Sequence, residues 1–123
     1  MSDVVAVIDD DAMFLQALKR LISLLGYTVE LYASAEAFFE RAAECRTKCL
    51  PIDVQVGSRS GIELARQIAD AGLDFPIVFM AGNTDERLQW QAIEAGCAGY
   101  LRKPFVTELL QYILTRSKVG KRD

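Results

Sequence analysis

Short apolar runs recur along this chain, each followed by an amphipathic stretch of helix length, and the alternation predicts five strand–helix pairs. Val4 to Ile8, "VVAVI", is apolar throughout and reads as a buried strand. Ala12 to Leu25 follows as a helix with Leu15, Leu18, Ile22 and Leu25 on one face, ended by Gly26. Thr28 to Tyr32 is the second strand. Ser34 is placed to cap a helix through "AEAFFERAA", after which Arg46 to Cys49 reads as a loop. Leu50 to Val54 is the third strand, with Pro51 lacking the N–H that a ladder needs. A helix over about Gly61 to Ala71 leads to the strand "PIVFM", Pro76 to Met80, then a loop at "AGNTD" and a helix from about Asp85 to Ala95 that stops before Gly96. A short fifth strand, Gly99 to Leu101, passes through "RKPF" to a last helix, about Thr107 to Ser117, that buries Leu109, Leu110, Ile113 and Leu114.

Strands that are apolar on both faces and alternate with helices imply an α/β fold with a parallel sheet covered on both sides by right-handed crossovers. In such a fold the site lies at the carboxyl ends of the strands. Those ends present Asp9, Asp10 and Asp11 after the first strand and Asp53 at the third. After the fourth come Ala81, Gly82 and Asn83, and after the fifth Arg102 and Lys103.

The 123 residues fit one domain, and the formal net charge of −3 argues against direct nucleic-acid binding. The only basic cluster is the tail "RSKVGKRD", which reads as a solubilising end or the start of a linker over residues 118–123. No apolar run is long enough for a membrane span and no leader pattern opens the chain, so a cytoplasmic location is expected. Cys45, Cys49 and Cys97 suggest no disulfide framework and too few ligands for a thiolate metal site, even if Cys45 and Cys49 share a helical face. The chain has no histidine, which excludes a Ser-His-Asp or Cys-His nucleophile and a His-ligated zinc. Its chemistry must run on carboxylates, lysine, backbone amides or a bound cation.

Three consecutive aspartates demand compensation, because a pair of like charges roughly 4 Å apart costs on the order of 4 kcal/mol at an effective dielectric of about 20. Carboxylate oxygens are natural ligands of Mg²⁺, and such a cation would offset the repulsion between Asp9 and Asp10 and could bridge to Asp53. Asp53 interrupts the apolar "LPIDVQV". Taken alone it reads as a strand end; beside a cation and Lys103 it reads as a nucleophile toward a phosphoryl group, with the cation and the lysine neutralising the transferring charge.

The stretches "VIDDDAMFLQALKRLI", "IDVQVGSRSGIEL", "PIVFMAGN" and "AGYLRKPF" resemble, in order and spacing, the receiver domain of bacterial response regulators, over about Val4 to Ser117. The resemblance implies a flavodoxin-like, doubly wound sheet of five parallel strands in the order 2-1-3-4-5. It implies a non-enzymatic acceptor that takes its phosphoryl group from a sensor histidine kinase or a phosphotransfer protein. Asp53 matches the phosphorylated aspartate, Asp9 and Asp10 the acidic pair that holds Mg²⁺ or Mn²⁺, and Gln55 the residue whose main-chain carbonyl completes the metal site. Lys103 matches the lysine that pairs with the phosphoryl group, Pro104 the proline after it, and Tyr100 the aromatic switch position. Asp11 falls in a variable position and reads as a helix-start residue. Implied partners are a downstream protein or an output domain, such as a DNA-binding one; a phosphorylation-dependent dimer is compatible with this.

Two departures stand out. Where the family usually has Thr or Ser after the fourth strand this chain has Ala81, so the hydroxyl that would bond a phosphoryl oxygen is missing, although the N–H of Gly82 can donate in its place. After Asp53 the family commonly has an apolar residue and then proline, whereas this chain reads Val56, Gly57, Ser58, Arg59, a loop that Gly57 should make more mobile. Gln55 and Asn83 occupy positions that tune phosphate lifetime. Two competitors follow: a pseudo-receiver that signals without phosphate, opposed by the intact Asp9, Asp10, Asp53 and Lys103, and a Mg²⁺-dependent phosphohydrolase, opposed by Gln55 where such enzymes carry a second aspartate. Trp90 reads equally as a partner-facing anchor or as partly buried packing, and Phe38 and Phe39 as packing.

Overall fold

The computed structural model describes residues 3–82, 86–97 and 99–102. Its elements run β1 (Val4–Ile8), α1 (Ala12–Leu24), β2 (Thr28–Tyr32), α2 (Ala35–Arg41), β3 (Leu50–Asp53), β4 (Gln55–Val56), β5 (Arg59–Ser60), α3 (Gly61–Asp70), β6 (Ile77–Ala81), α4 (Glu86–Glu94) and β7 (Gly99–Arg102), with a 3-10 turn over Ala42–Glu44 after α2. The main sheet is parallel throughout in the order β2-β1-β3-β6-β7. This is the expected 2-1-3-4-5 once the two short strands β4 and β5, which pair only with each other, are left out of the count.

Period-two alternation explains why strands apolar on both faces form this sheet. Val5 and Val7 of β1, with Val78 and Met80 of β6, pack with Leu15, Leu18 and Ile22 of α1. Ala6 and Ile8, with Leu50, Ile52 and Phe79, belong to the opposite layer, with Phe38 of α2 and Ile62, Leu64 and Ile68 of α3. Each of those large α1 side chains is worth about 1.5–3 kcal/mol on burial, more than the helix propensity of its sequence could supply. The side chains of Asp11, Ser34 and Ser60 cap α1, α2 and α3 by accepting from the N–H groups of Phe14, Ala37 and Glu63.

Pro51 sits inside β3 without breaking it. The N–H of Leu50 donates to Pro76 and that of Val54 to Met80, so alternate residues of β3 bond toward β6 and position 51 faces β1. Pairing with β1 is correspondingly thin, a single register pair, Ile8 with Ile52. Other groups fill the gap: the N–H of Lys48 donates to Val4 (2.8 Å), and the buried Thr47 hydroxyl accepts from the N–H of Ala6 (2.8 Å) and lies against the carbonyl of Cys49.

Sequence and structure differ most in four places. The stretch after Asp53, expected as a mobile loop, is a hairpin: Gln55 pairs with Ser60 and Val56 with Arg59 around Gly57-Ser58. Gly57 has φ +62° and Ser58 a negative φ, the pattern of a type II′ turn. The helix after Ser34 tightens into the 3-10 turn at Ala42, so Cys45 and Cys49 do not share a helical face. The fourth sheet strand is displaced by one residue, Ile77–Ala81, because Pro76 contributes a carbonyl and no N–H. Arg46 to Cys49, expected as loop, carries a bridge from Thr47 to Val4. Asn83, Lys103, Pro104 and the helix expected over Thr107 to Ser117 lie outside the described residues.

Candidate functional site

The carboxyl ends of β1 and β3 bring Asp9 and Asp53 into corresponding positions, since each follows one half of the pair Ile8 and Ile52. Both are withdrawn from water, Asp9 completely and Asp53 to 8% exposure. The main-chain N–H of Asp9 extends the β1–β2 ladder by donating to Tyr32 (3.1 Å), which fixes where its side chain leaves the backbone. Its Oδ1 accepts from the N–H of Asp11 at 2.9 Å. Asp53 uses the same device two residues on, Oδ1 accepting from the N–H of Gln55 at 2.8 Å.

The three consecutive aspartates therefore have three separate roles. Asp9 is the buried carboxylate and Asp11 caps α1, accepting from Phe14 at 3.1 Å, the helix-start role expected of it. Asp10 is exposed, and its Oδ2 accepts from the N–H of Gly57 at 2.9 Å, across 47 residues of sequence. The hairpin that presents Gly57 is held on its far side as well. Arg59 donates to Glu36 of α2 (3.1 Å) and to Gln67 of α3 (2.6 Å), and Gln55 Nε2 donates to the carbonyl of Gly57 (2.8 Å). The main-chain N–H of Glu36, and after it the Arg59 guanidinium, hold the Glu36 carboxyl below its ordinary range. A cavity of about 220 Å³ lies under this loop, bordered by Asp10, Ser34, Glu36, Gly57 and Arg59.

The other expected site residues divide. Ala81, the last residue of β6, is fully buried and stands in register with Arg102 of β7; Gly82, beyond it, is exposed. Tyr100 is half-buried in β7, in register with Phe79 and packed against the core. Trp90 is 65% exposed on α4 with Ile93 one turn away, which settles its two readings in favour of the surface. Phe38 is core, edge-on to Tyr32, Phe39 and Phe75, with Phe39 half-buried. None of the three cysteines is in a disulfide, and burial pushes the Cys45 and Cys97 thiols up, away from the reactive thiolate. Burial, then the Glu30 carboxylate, push the Tyr32 phenol up to about 12, so it remains a donor to Glu30 (3.1 Å). Sequence reasoning missed Thr47, Arg59 and the Ser60 cap.

Asp9, Asp10, Asp53 and the Gln55 carbonyl supply only hard oxygen donors, and two of the carboxylates are buried at adjacent strand ends, so the donor chemistry fits Mg²⁺ or Mn²⁺. Among the described residues no three of the His, Cys, Asp and Glu side chains are grouped to hold a metal ion; Asp10 is bonded to Gly57 instead. A groove of about 580 Å³ between the end of α3 and the start of β6 lies at the opposite end of the sheet from these carboxylates. Among the described residues no helix is long and apolar enough to cross a membrane.

Comparison with known proteins bears on the family and the fold. The family model of the response regulator receiver domain matches residues 5–115. The response regulator protein TmoT of Ectopseudomonas mendocina is 35% identical over 118 residues, covering 95% of this chain and 54% of that protein. The structure titled FixJ-N is similar at TM-score 0.88 and 26% identity, over 96% of this chain and 94% of that one. Full-length FixJ from B. japonicum gives TM-score 0.88 and 30% identity, over 95% of this chain and 58% of its own. The chain spans about half the length of the curated relatives it matches.

Proposed function

This chain belongs to the response regulator receiver domain family, and from that premise we propose that Asp53 accepts a phosphoryl group from the phosphohistidine of a sensor kinase or phosphotransfer protein. One observation carries the reading: a carboxylate 8% exposed at the end of the central strand, one strand away from a second that is fully buried. The N–H of Gln55 fixes the plane of the Asp53 carboxylate by holding Oδ1. In the transfer a carboxylate oxygen of Asp53 forms the new P–O bond, the P–N bond of the donor breaks, and its electron pair returns to the imidazole nitrogen. The product is an acyl phosphate on Asp53. One aspartate is consumed per transfer, so the chain acts as an acceptor and not as a turnover catalyst.

Asp9, Asp10 and the Gln55 carbonyl would hold Mg²⁺ beside Asp53. The bound cation would supply the positive charge that the entering phosphoryl oxygens need. The N–H of Gly82, just past the end of β6, would serve the same oxygens, a role that the family resemblance also gives to Lys103. Phosphorylation then alters the affinity of the α4 and β7 surface, where Trp90 and Ile93 are exposed, for a protein partner or an output domain.

Intact mass after incubation with acetyl phosphate, with and without Mg²⁺, tests the proposal. A single Mg²⁺-dependent phosphoryl adduct is expected, absent in Asp53→Asn. A wild-type chain that stays unlabelled under conditions that label another receiver overturns it.

A further inference from the structure

A proline at position 57 could neither donate the hydrogen bond that Gly57 gives to Asp10 nor adopt φ +62°. The contact therefore exists because of a residue at which this chain departs from the pattern it otherwise resembles. It is also built in from both sides. The Gln55–Ser60 hairpin presents the Gly57 N–H outward, its II′ turn places it against Asp10, and Arg59 ties the same hairpin to α2 and α3. A Cβ on Gly57 would lie 3.9 Å from Asp10 Oδ2, an ordinary contact with that side chain, and it would meet no other residue within 4 Å.

We propose that Gly57 is a positioning residue for Asp10: its N–H clasps Oδ2 of the Asp10 carboxylate, so that a cation taking this oxygen at the Asp9, Asp10 and Asp53 end of the sheet draws it away from Gly57 of the Gln55–Ser60 hairpin. The inference rests on the cation-dependent reading above. It follows from the acceptor that the two demands share. A carboxylate oxygen accepting a charge-assisted bond from a main-chain N–H is neutralised in part and fixed in orientation, and a cation that takes Oδ2 of Asp10 must recruit it from that partner. Binding is then linked to a movement of the hairpin, and it is weaker than in the same chain without the clasp.

The amides of Asp11, Gln55 and Gly57 report the three carboxylates separately, since each donates to a different one. A Mg²⁺ titration of the labelled chain by ¹⁵N–¹H correlation spectroscopy should move all three with one midpoint, the Gly57 proton shifting upfield as its bond to Asp10 is lost. Gly57→Pro, which removes both the N–H and the turn, should bind Mg²⁺ about tenfold more tightly, the scale of one charge-assisted bond at an exposed site. Gly57→Asn keeps the N–H and tolerates a positive φ, and should keep the wild-type midpoint. A Gly57 amide that stays still while Asp11 and Gln55 respond overturns the clasp, whatever the fate of the proline variant; so does an unchanged or weaker midpoint in a folded Gly57→Pro. Absence of any response at Asp11 and Gln55 overturns the cation reading itself, and the clasp with it.

Discussion

A Cβ on Gly61 would stand 1.9 Å from the main-chain oxygen of Asp53 and 2.9 Å from its carbonyl carbon, a clash with backbone that no rotamer relieves. The glycine also donates to the Val54 carbonyl at 2.8 Å, so the start of α3 is pulled against the segment that carries Asp53. Gly61→Ala should therefore lower stability by about 3 kcal/mol, the upper end of the usual overpacking cost, in a urea titration of the folded chain. A loss below about 1 kcal/mol would mean that α3 can retreat without consequence. At this scale much of the candidate site was legible. Asp9, Asp10 and Asp53 stood out because carboxylates are expensive against apolar runs, and the structure withdraws Asp9 and Asp53 from water. Thr47 gave no such signal. A lone threonine between charged residues is unremarkable until the fold shows that its hydroxyl serves Ala6 and Cys49.

Among the elements, β3 tests how a sheet tolerates a central proline. Its edge toward β1 is short of ladder bonds, and the Thr47 hydroxyl takes over part of that duty by accepting from the N–H of Ala6. Replacing it by the near-isosteric valine leaves that buried donor without its acceptor, so Thr47→Val should cost about 1–3 kcal/mol in chemical denaturation while Thr47→Ser stays close to wild type. Equal stability of all three would show that the backbone finds another partner. Strands β1 and β6 were legible because buried parallel strands are continuous apolar runs, and the amphipathic helices because three or four large residues recur at the right spacing. The hairpin at 55–60 was not, since strands of two residues have no periodicity to read. Its signal was the dipeptide Gly57-Ser58, which suits a two-residue II′ turn and was read only as looseness.

Across the whole molecule, the register of β6 with β7 connects the proposed phosphoryl-receiving end to the outer edge of the sheet, with Ala81 beside Arg102 and Phe79 beside Tyr100. Ala81 has no hydroxyl to grip a phosphoryl oxygen, so on the proposed function the pull on this edge falls to the N–H of Gly82 and to Lys103. Ala81→Thr returns a hydroxyl whose charge-assisted bond is worth about 1.5–3 kcal/mol, enough to move a two-state equilibrium about tenfold or more. Phosphorylated Ala81→Thr should accordingly show larger amide shifts at Tyr100 and Arg102 than the phosphorylated wild type; shifts no larger would indicate that this chain transmits by another route. At the far side of that edge stands the one tryptophan of the chain, Trp90, 65% in water. An indole so placed emits as it would in solvent and changes colour when it is covered. The arrival of a partner on α4 would thus be written into the light from a single side chain, and could be timed on the unlabelled protein.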